Sequence, residues 1–366
     1  MKKMIQTVLL TGALLLPRFC AAQAQPESKL SGPTLGLMFD AASASVRPIL
    51  GIPGAATLGA PLSPGFAIAQ AFVAPGGAHA LAIEKQGFRL ALVRASGAVV
   101  RNLTPAMVEA PDLIEFSPLG DTAAVYYRTS ERLFVLTGLN GQSPRVVQAD
   151  ASTLPSAPHR IAVSEDATAL LLAVPGNNAA ALYFLPNVAP ASRPADRGGM
   201  APGAGSSSGS AVARRIGNFQ SVSALRFAGA SHDALVAEGS TNTVYAILDA
   251  PGAAQVSAIG SARDGLSNPV AVESLDTRRV LVANAGSNKL TMLYREGNSA
   301  ESIACGCSPA VLHKLAGNSI YRLTVPSNGP LWVLDAGSSE ARVLAVPPDR
   351  SQASTLAAVT AEGARR

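Results

Sequence analysis

Asp112, His159 and Asn268 each stand at the entrance to a short apolar segment: "DLIEF", "HRIAV" and "NPVAV". A carboxylate beside an imidazole can orient the ring for proton transfer. Asp112 and His159 would form such a pair if the fold brought both to one opening, with Asn268 as a further polar contact for a ligand. The competing reading is local. Asp and Asn near turns commonly bond adjacent main chain, and under that reading the three residues form no set.

Cys305-Gly306-Cys307 is the most unusual local feature. Gly306 makes a tight bend feasible, so the thiols could close a very small disulfide ring. Two reduced buried thiols, or a metal or redox role, are the other readings. Gly205-Ser206-Ser207-Ser208-Gly209 matches G-x-S-x-G. That motif needs a strand-to-helix elbow, and the Pro-, Gly- and Ser-rich flanks supply none. A protruding loop fits better, with a docking segment for a partner as a further possibility.

Of the four histidines, His79 and His232 fall in turn-like stretches and are expected to be exposed. No two histidines have metal-ligand spacing, and no EF-hand pattern is present. No metal and no cofactor is therefore expected.

The elements that must position these residues are short. The chain has 366 residues, 48% hydrophobic and 14% charged, which suits a packed body rather than disorder. Residues 1–24 read as a signal peptide: Lys2 and Lys3, an apolar run over 8–16, and Ala22-Gln23-Ala24 as the cleavage site. Cys20 could instead mark lipidation, but Pro17-Arg18-Phe19 lacks the small residues such processing needs. The expected location is secreted or periplasmic. Removing Lys2, Lys3 and Arg18 from 29 basic residues leaves 26 against 24 acidic ones, so nucleic-acid binding loses its compositional support. No later segment has the apolar length of a transmembrane helix.

The stretch 116–141, "FSPLGDTAAVYYRTSERLFVLTGLNG", contains strand, turn, strand, polar break, strand, turn. Similar second strands begin near Leu81, Val125, Leu170, Leu235, Val280 and Ile320, in steps of about 44, 45, 65, 45 and 40 residues. That is the period of a four-stranded propeller blade. The long step contains residues 187–215, dense in Pro, Gly, Ser and Ala, read as a flexible insertion loop between the third and fourth strands of one blade. Several strands, such as "ALLLAV" and "VLVA", are apolar without alternation. A strand with one wet face should alternate, so these need cover on both faces, which neighbouring blades provide.

Six complete units begin near Ala69, Asp112, His159, Val222, Asn268 and Pro309. Residues 35–51 look like the third and fourth strands of another. The expectation is an all-β propeller over residues 25–350, with seven blades of four-stranded antiparallel sheets. Ring closure would join both chain ends in one blade, with 351–360 supplying the missing inner strands and 351–366 otherwise a tail. Six blades plus an N-terminal hairpin is the alternative. In this frame His313 lies on an inner strand, satisfied or facing the channel, and Trp332 on a third strand is a packing anchor between blades.

The unit "NPVAVESLDTRRVLVANAGSNKLTMLYREG" (268–297) resembles the YVTN-type β-propeller repeat of secreted bacterial proteins, in its Pro-led first strand, the turn at Asp276 and the "VLVANAGSNKL" core. The resemblance implies a propeller of the WD40-like, YVTN and lactonase group, and no particular activity. The expected function is a secreted, non-enzymatic binding or scaffolding module, a monomer, with a protein or small-molecule partner of unknown identity. The alternative is a lactonase-type hydrolase with its site at the channel mouth near Asp112 and His159. An enzyme should bury ionisable groups from at least three blades at one channel end.

Overall fold

The structure is a computed structural model that describes residues 32–348, apart from 106, 187, 189–211, 298, 318, 326–328 and 338–339. Its strands form seven antiparallel sheets, the blades of a propeller. Blade 1 is β1 (Thr34–Asp40), β2 (Ser45–Ile52) and β3 (Ala55–Leu58). Blade 2 is β4 (Ile68–Val73), β5 (His79–Glu84), β6 (Leu90–Arg94) and β7 (Val99–Val100). Blade 3 is β8 (Leu113–Phe116), β9 (Ala123–Tyr127), β10 (Arg132–Thr137) and β11 (Arg145–Ala149). Blade 4 is β12 (Arg160–Val163), β13 (Ala169–Pro175), β14 (Ala180–Pro186) and β15 (Arg214–Phe219). Blade 5 is β16 (Ala224–Phe227), β17 (Ala234–Glu238), β18 (Thr243–Leu248) and β19 (Gln255–Gly260). Blade 6 is β20 (Pro269–Ser274), β21 (Arg279–Asn284), β22 (Lys289–Tyr294) and β23 (Ser299–Ala304). Blade 7 is β24 (His313–Lys314), β25 (Ile320–Arg322), β26 (Leu331–Asp335) and β27 (Arg342–Val346). One 3₁₀ turn, Ala262–Asp264, is the sole helical element among the described residues.

The first strand of each blade is innermost. β1 lies against β4, β8 against β12, β12 against β16 and β16 against β20. The second strands are covered on both sides: β5, β9 and β17 are buried at every residue. Outer strands such as β19 are mostly exposed. This gradient explains the unbroken apolar runs. Tyr126 and Tyr127 point to opposite faces of β9 and so enter different cores.

Each apolar core lies between two neighbouring blades. Leu92 and Phe116 join blades 2 and 3. Leu133 and Leu172 join 3 and 4. Leu182 and Phe227 join 4 and 5. Leu235 and Val282 join 5 and 6. Met292 and Leu334 join 6 and 7, with Trp332 packed alongside. Met38 and Leu331 join 7 and 1, and Leu37 and Val93 join 1 and 2. The chain of cores closes on itself, which fixes seven blades and discards the six-bladed alternative.

Closure differs from the sequence expectation. Residues 35–51 form the inner and second strands of blade 1, not its third and fourth. Among the described residues blade 1 is built from β1–β3 alone, all from one end of the chain. The seam to blade 7 is face-to-face packing plus the Ala316 N–H donating to the Leu35 carbonyl at 2.6 Å. On the other side, a Cβ on Gly77 (φ +67°) would come within 2.4 Å of Gly36 Cα, so this approach of blades 1 and 2 needs glycine. Residues 1–31 and 351–366 lie outside the described residues, as does most of the 187–215 insertion. Its last two residues, Arg214 and Arg215, open β15, which pairs with β14.

Candidate functional site

The inner strands converge on a cavity of about 720 Å³ along the propeller axis. Its wall takes residues from all seven blades, from Phe39 in blade 1 to Arg322 in blade 7. Most of that wall is apolar, and the polar groups in it follow the repeat.

In blades 2 to 7 a turn N–H closes the first hairpin: Ala74 in blade 2, Ser117 in blade 3, Ser164 in 4, Ala228 in 5, Leu275 in 6 and Leu315 in 7. Two residues upstream of these lie Phe72, Glu115, Ala162, Arg226, Glu273 and His313. One structural position therefore carries two carboxyls, a guanidinium and an imidazole from four blades. Arg226 Nε lies 3.0 Å from Glu273 Oε2, joining blades 5 and 6. Its Nη1 donates to the Phe116 carbonyl at 3.5 Å, reaching blade 3 past the small Ala162 of blade 4. Arg226 is thus a crossbar over part of the channel.

Burial pushes the Glu115 carboxyl up, and Arg226 and Arg160 pull against it. Burial likewise pushes Glu273 up, opposed by Arg226 and Lys314. Burial works against the Arg226 charge, but Glu273 and Glu115 outweigh it, and the guanidinium stays protonated. His313 is held well below its ordinary range by burial and by the neighbouring Arg322 and Arg226 cations, so it is neutral at pH 7. Its ring reaches the Ala74 main chain, while Nε2 is sealed from solvent without a partner among the described residues.

The second strand behind this position is equally regular, with one departure. Opposite Phe72, Glu115, Ala162, Arg226 and Glu273 stand Leu81, Ala124, Leu171, Leu235 and Leu281. All five are 1% exposed or less. Opposite His313 stands Arg322. Its Nε has neither solvent nor a partner among the described residues. Burial lowers its pKa to about 10, and no carboxylate among the described residues opposes this. Glu115, in the cavity wall, and Glu273, which does not line it, act on Arg226 instead.

The residues singled out from sequence lie beside this site. Asp112, His159 and Asn268 do not line the cavity, though their neighbours Ile114, Arg160 and Val270 do. Asp112 accepts from the Arg128 N–H at 2.7 Å and sits 3.8 Å from its guanidinium. The His159 ring faces the main chain of Val222 and Ala173, and burial and Arg160 lower its pKa. The Asn268 N–H donates to Asn242 Oδ1 at 2.6 Å. No contact joins Asp112 to His159. His313 does face the channel. His79 is a correction: it begins β5, is 1% exposed, and stacks edge-on against Phe116. Cys305 and Cys307 form a disulfide. Among the described residues no three His, Cys, Asp or Glu side chains are grouped to hold a metal ion, and no helix is long and apolar enough to cross a membrane.

Comparison with solved structures agrees on the fold. The chain is similar to a functionally unknown protein from Desulfotomaculum acetoxidans, with TM-score 0.53 and 10% identity, over 87% of this chain and 100% of that one. It is similar to streptogramin B lyase, with TM-score 0.51 and 9% identity, over 78% and 86% of the two chains. At such identities the likeness speaks to the propeller alone. No protein-family profile and no curated protein sequence matches the chain.

Proposed function

We propose that the chain is a non-catalytic binding propeller that takes a small molecule into its axial channel, and that it works outside the cytoplasm. One observation carries the binding reading: a cavity of about 720 Å³ with mostly apolar walls and a few buried charges, the usual composition of a small-ligand site. The Cys305–Cys307 bridge supports an oxidising compartment.

The test uses Ala69, an exposed residue on the channel wall. A small-molecule library is screened by thermal shift against the native protein and Ala69→Trp. Compounds that stabilise the native protein and lose at least about tenfold in affinity in the variant support channel binding. Hits that bind Ala69→Trp equally well would refute it.

A hydrolase is the second reading, favoured by Glu115, Arg226, Glu273 and His313 arriving from four blades. Neutral His313 could accept a proton, but no carboxylate contacts its ring to orient it. Turnover of lactones or esters that disappears in His313→Ala would establish this reading over the first.

A further inference from the structure

The repeat puts a small or branched apolar residue behind each of the other five channel positions described above, and Arg322 alone departs. Such a departure conflicts with its surroundings: it places a charge in an inter-strand position, beside a neutral imidazole, with no acid to match it among the described residues. Proteins keep such groups where a ligand completes them.

The other cations of the channel are committed. Arg226 holds Glu273. Arg160 Nε donates to the Ser223 carbonyl at 3.1 Å, and its Nη1 to the His159 carbonyl at 2.8 Å. Lys314 acts on Glu273. Of the three guanidiniums in the cavity wall, Arg322 alone has neither a hydrogen bond nor an ion pair among the described residues. A guanidinium fork fits the two coplanar oxygens of a carboxylate. Free phosphate has no apolar body to place along the remaining wall. The rest of the wall, including Ala71, Phe72, Ile114, Val270 and Val311, suits an apolar body.

We infer that the channel binds an organic monocarboxylate, its head on Arg322 and its body along the apolar wall. This rests on the channel-binding reading and adds the ligand's chemical class.

Octanoate, octanamide and inorganic phosphate are titrated into the full chain by calorimetry, and into Arg322→Leu and Ala69→Trp. Arg322→Leu should fold, because leucine occupies the equivalent place in blades 2, 4, 5 and 6. Octanoate should bind at least about tenfold tighter than octanamide. That preference should vanish in Arg322→Leu, and phosphate should not displace octanoate. Octanoate and octanamide binding equally, both weakened by Ala69→Trp, would overturn the anion inference and leave the channel reading intact. Octanoate binding that ignores Ala69→Trp would overturn both. A preference that survives Arg322→Leu, no binding at millimolar octanoate, or tighter binding of phosphate would each overturn the inference.

Discussion

Arg322→Leu should make the unliganded protein more stable. The native guanidinium lies against the apolar second layer, no acid among the described residues offsets it, and burial lowers its pKa to about 10. Each pKa unit corresponds to about 1.4 kcal/mol, so the protonated side chain destabilises the fold by about 3 kcal/mol. The sign follows from proton binding. Above pH 10 the unfolded chain holds more protons than the folded one, so native stability rises as the pH climbs through that range. At pH 7 both states are protonated and the full penalty applies. Removing the charge should lift the midpoint of thermal unfolding by roughly 6 °C for a domain of this size. Calorimetric scans at pH 7 without ligand measure it. The same scans with octanoate should narrow the gap, because only the native protein gains from binding. A variant no more stable than the native protein, or less stable, would show that Arg322 is compensated and refute the reasoning.

Glu273→Leu should cost about 3–5 kcal/mol in urea unfolding, because it strands Arg226 as a buried charge; the double variant with Arg226→Leu should recover most of that loss. His79 is held at about 4 by burial and by Arg94, with Asp121 pulling the other way. The unfolded imidazole titrates at its ordinary 6.5, so this residue's contribution is complete above pH 6.5 and fades as pH falls toward 4, by about 3 kcal/mol in all. His79→Leu should flatten the acid limb of a stability–pH curve, and an unchanged limb would count against it. Protein purified without reductant should show no reaction of Cys305 or Cys307 with a thiol reagent until reduced, and immediate labelling would argue for reduced thiols.

The strands of blade 3 could be read from sequence because each is bounded by its own turn. The order strand, turn, strand, polar break, strand, turn read over 116–141 is met by the end of β8, then β9 and β10. Turn chemistry is local, so it survives in sequence. Blade 1 was misassigned for the converse reason. "LGLMFDAASASVRPILG" has the same hairpin grammar as the outer half of blade 2, and only its neighbours reveal that β1 is innermost. His79 was placed in a turn because it follows Gly-Gly-Ala; the structure starts β5 there and buries it under Phe116. The channel charges left a signal that went unread: a lone charge inside an apolar strand, as in "LIEF" and "ALRF". Arg322 stands out only when "IYR" is aligned with its counterparts in other blades.

Placing the odd residue in blade 7 has a mechanical consequence. The inner strand β24 has two residues and β25 has three, the shortest such pair in the ring. Blade 7 also flanks the seam, where the described residues show packing and two main-chain hydrogen bonds, Ala316 to the Leu35 carbonyl and Gly76 of blade 2 to the Lys314 carbonyl, in place of a shared sheet. Short ladders and a non-covalent seam mark the part of a ring that opens first. The cavity wall there includes Phe39 of blade 1 and Phe72 of blade 2 as well as Arg322. A carboxylate seated on Arg322 with its apolar body against those rings would bridge the seam. Amide exchange in β1 and β25 should therefore slow on adding octanoate, more than in β13 or β17 on the far side. Uniform slowing around the ring would mean that the ligand stabilises the fold without closing the seam, and slowing confined to β13 and β17 would place it elsewhere.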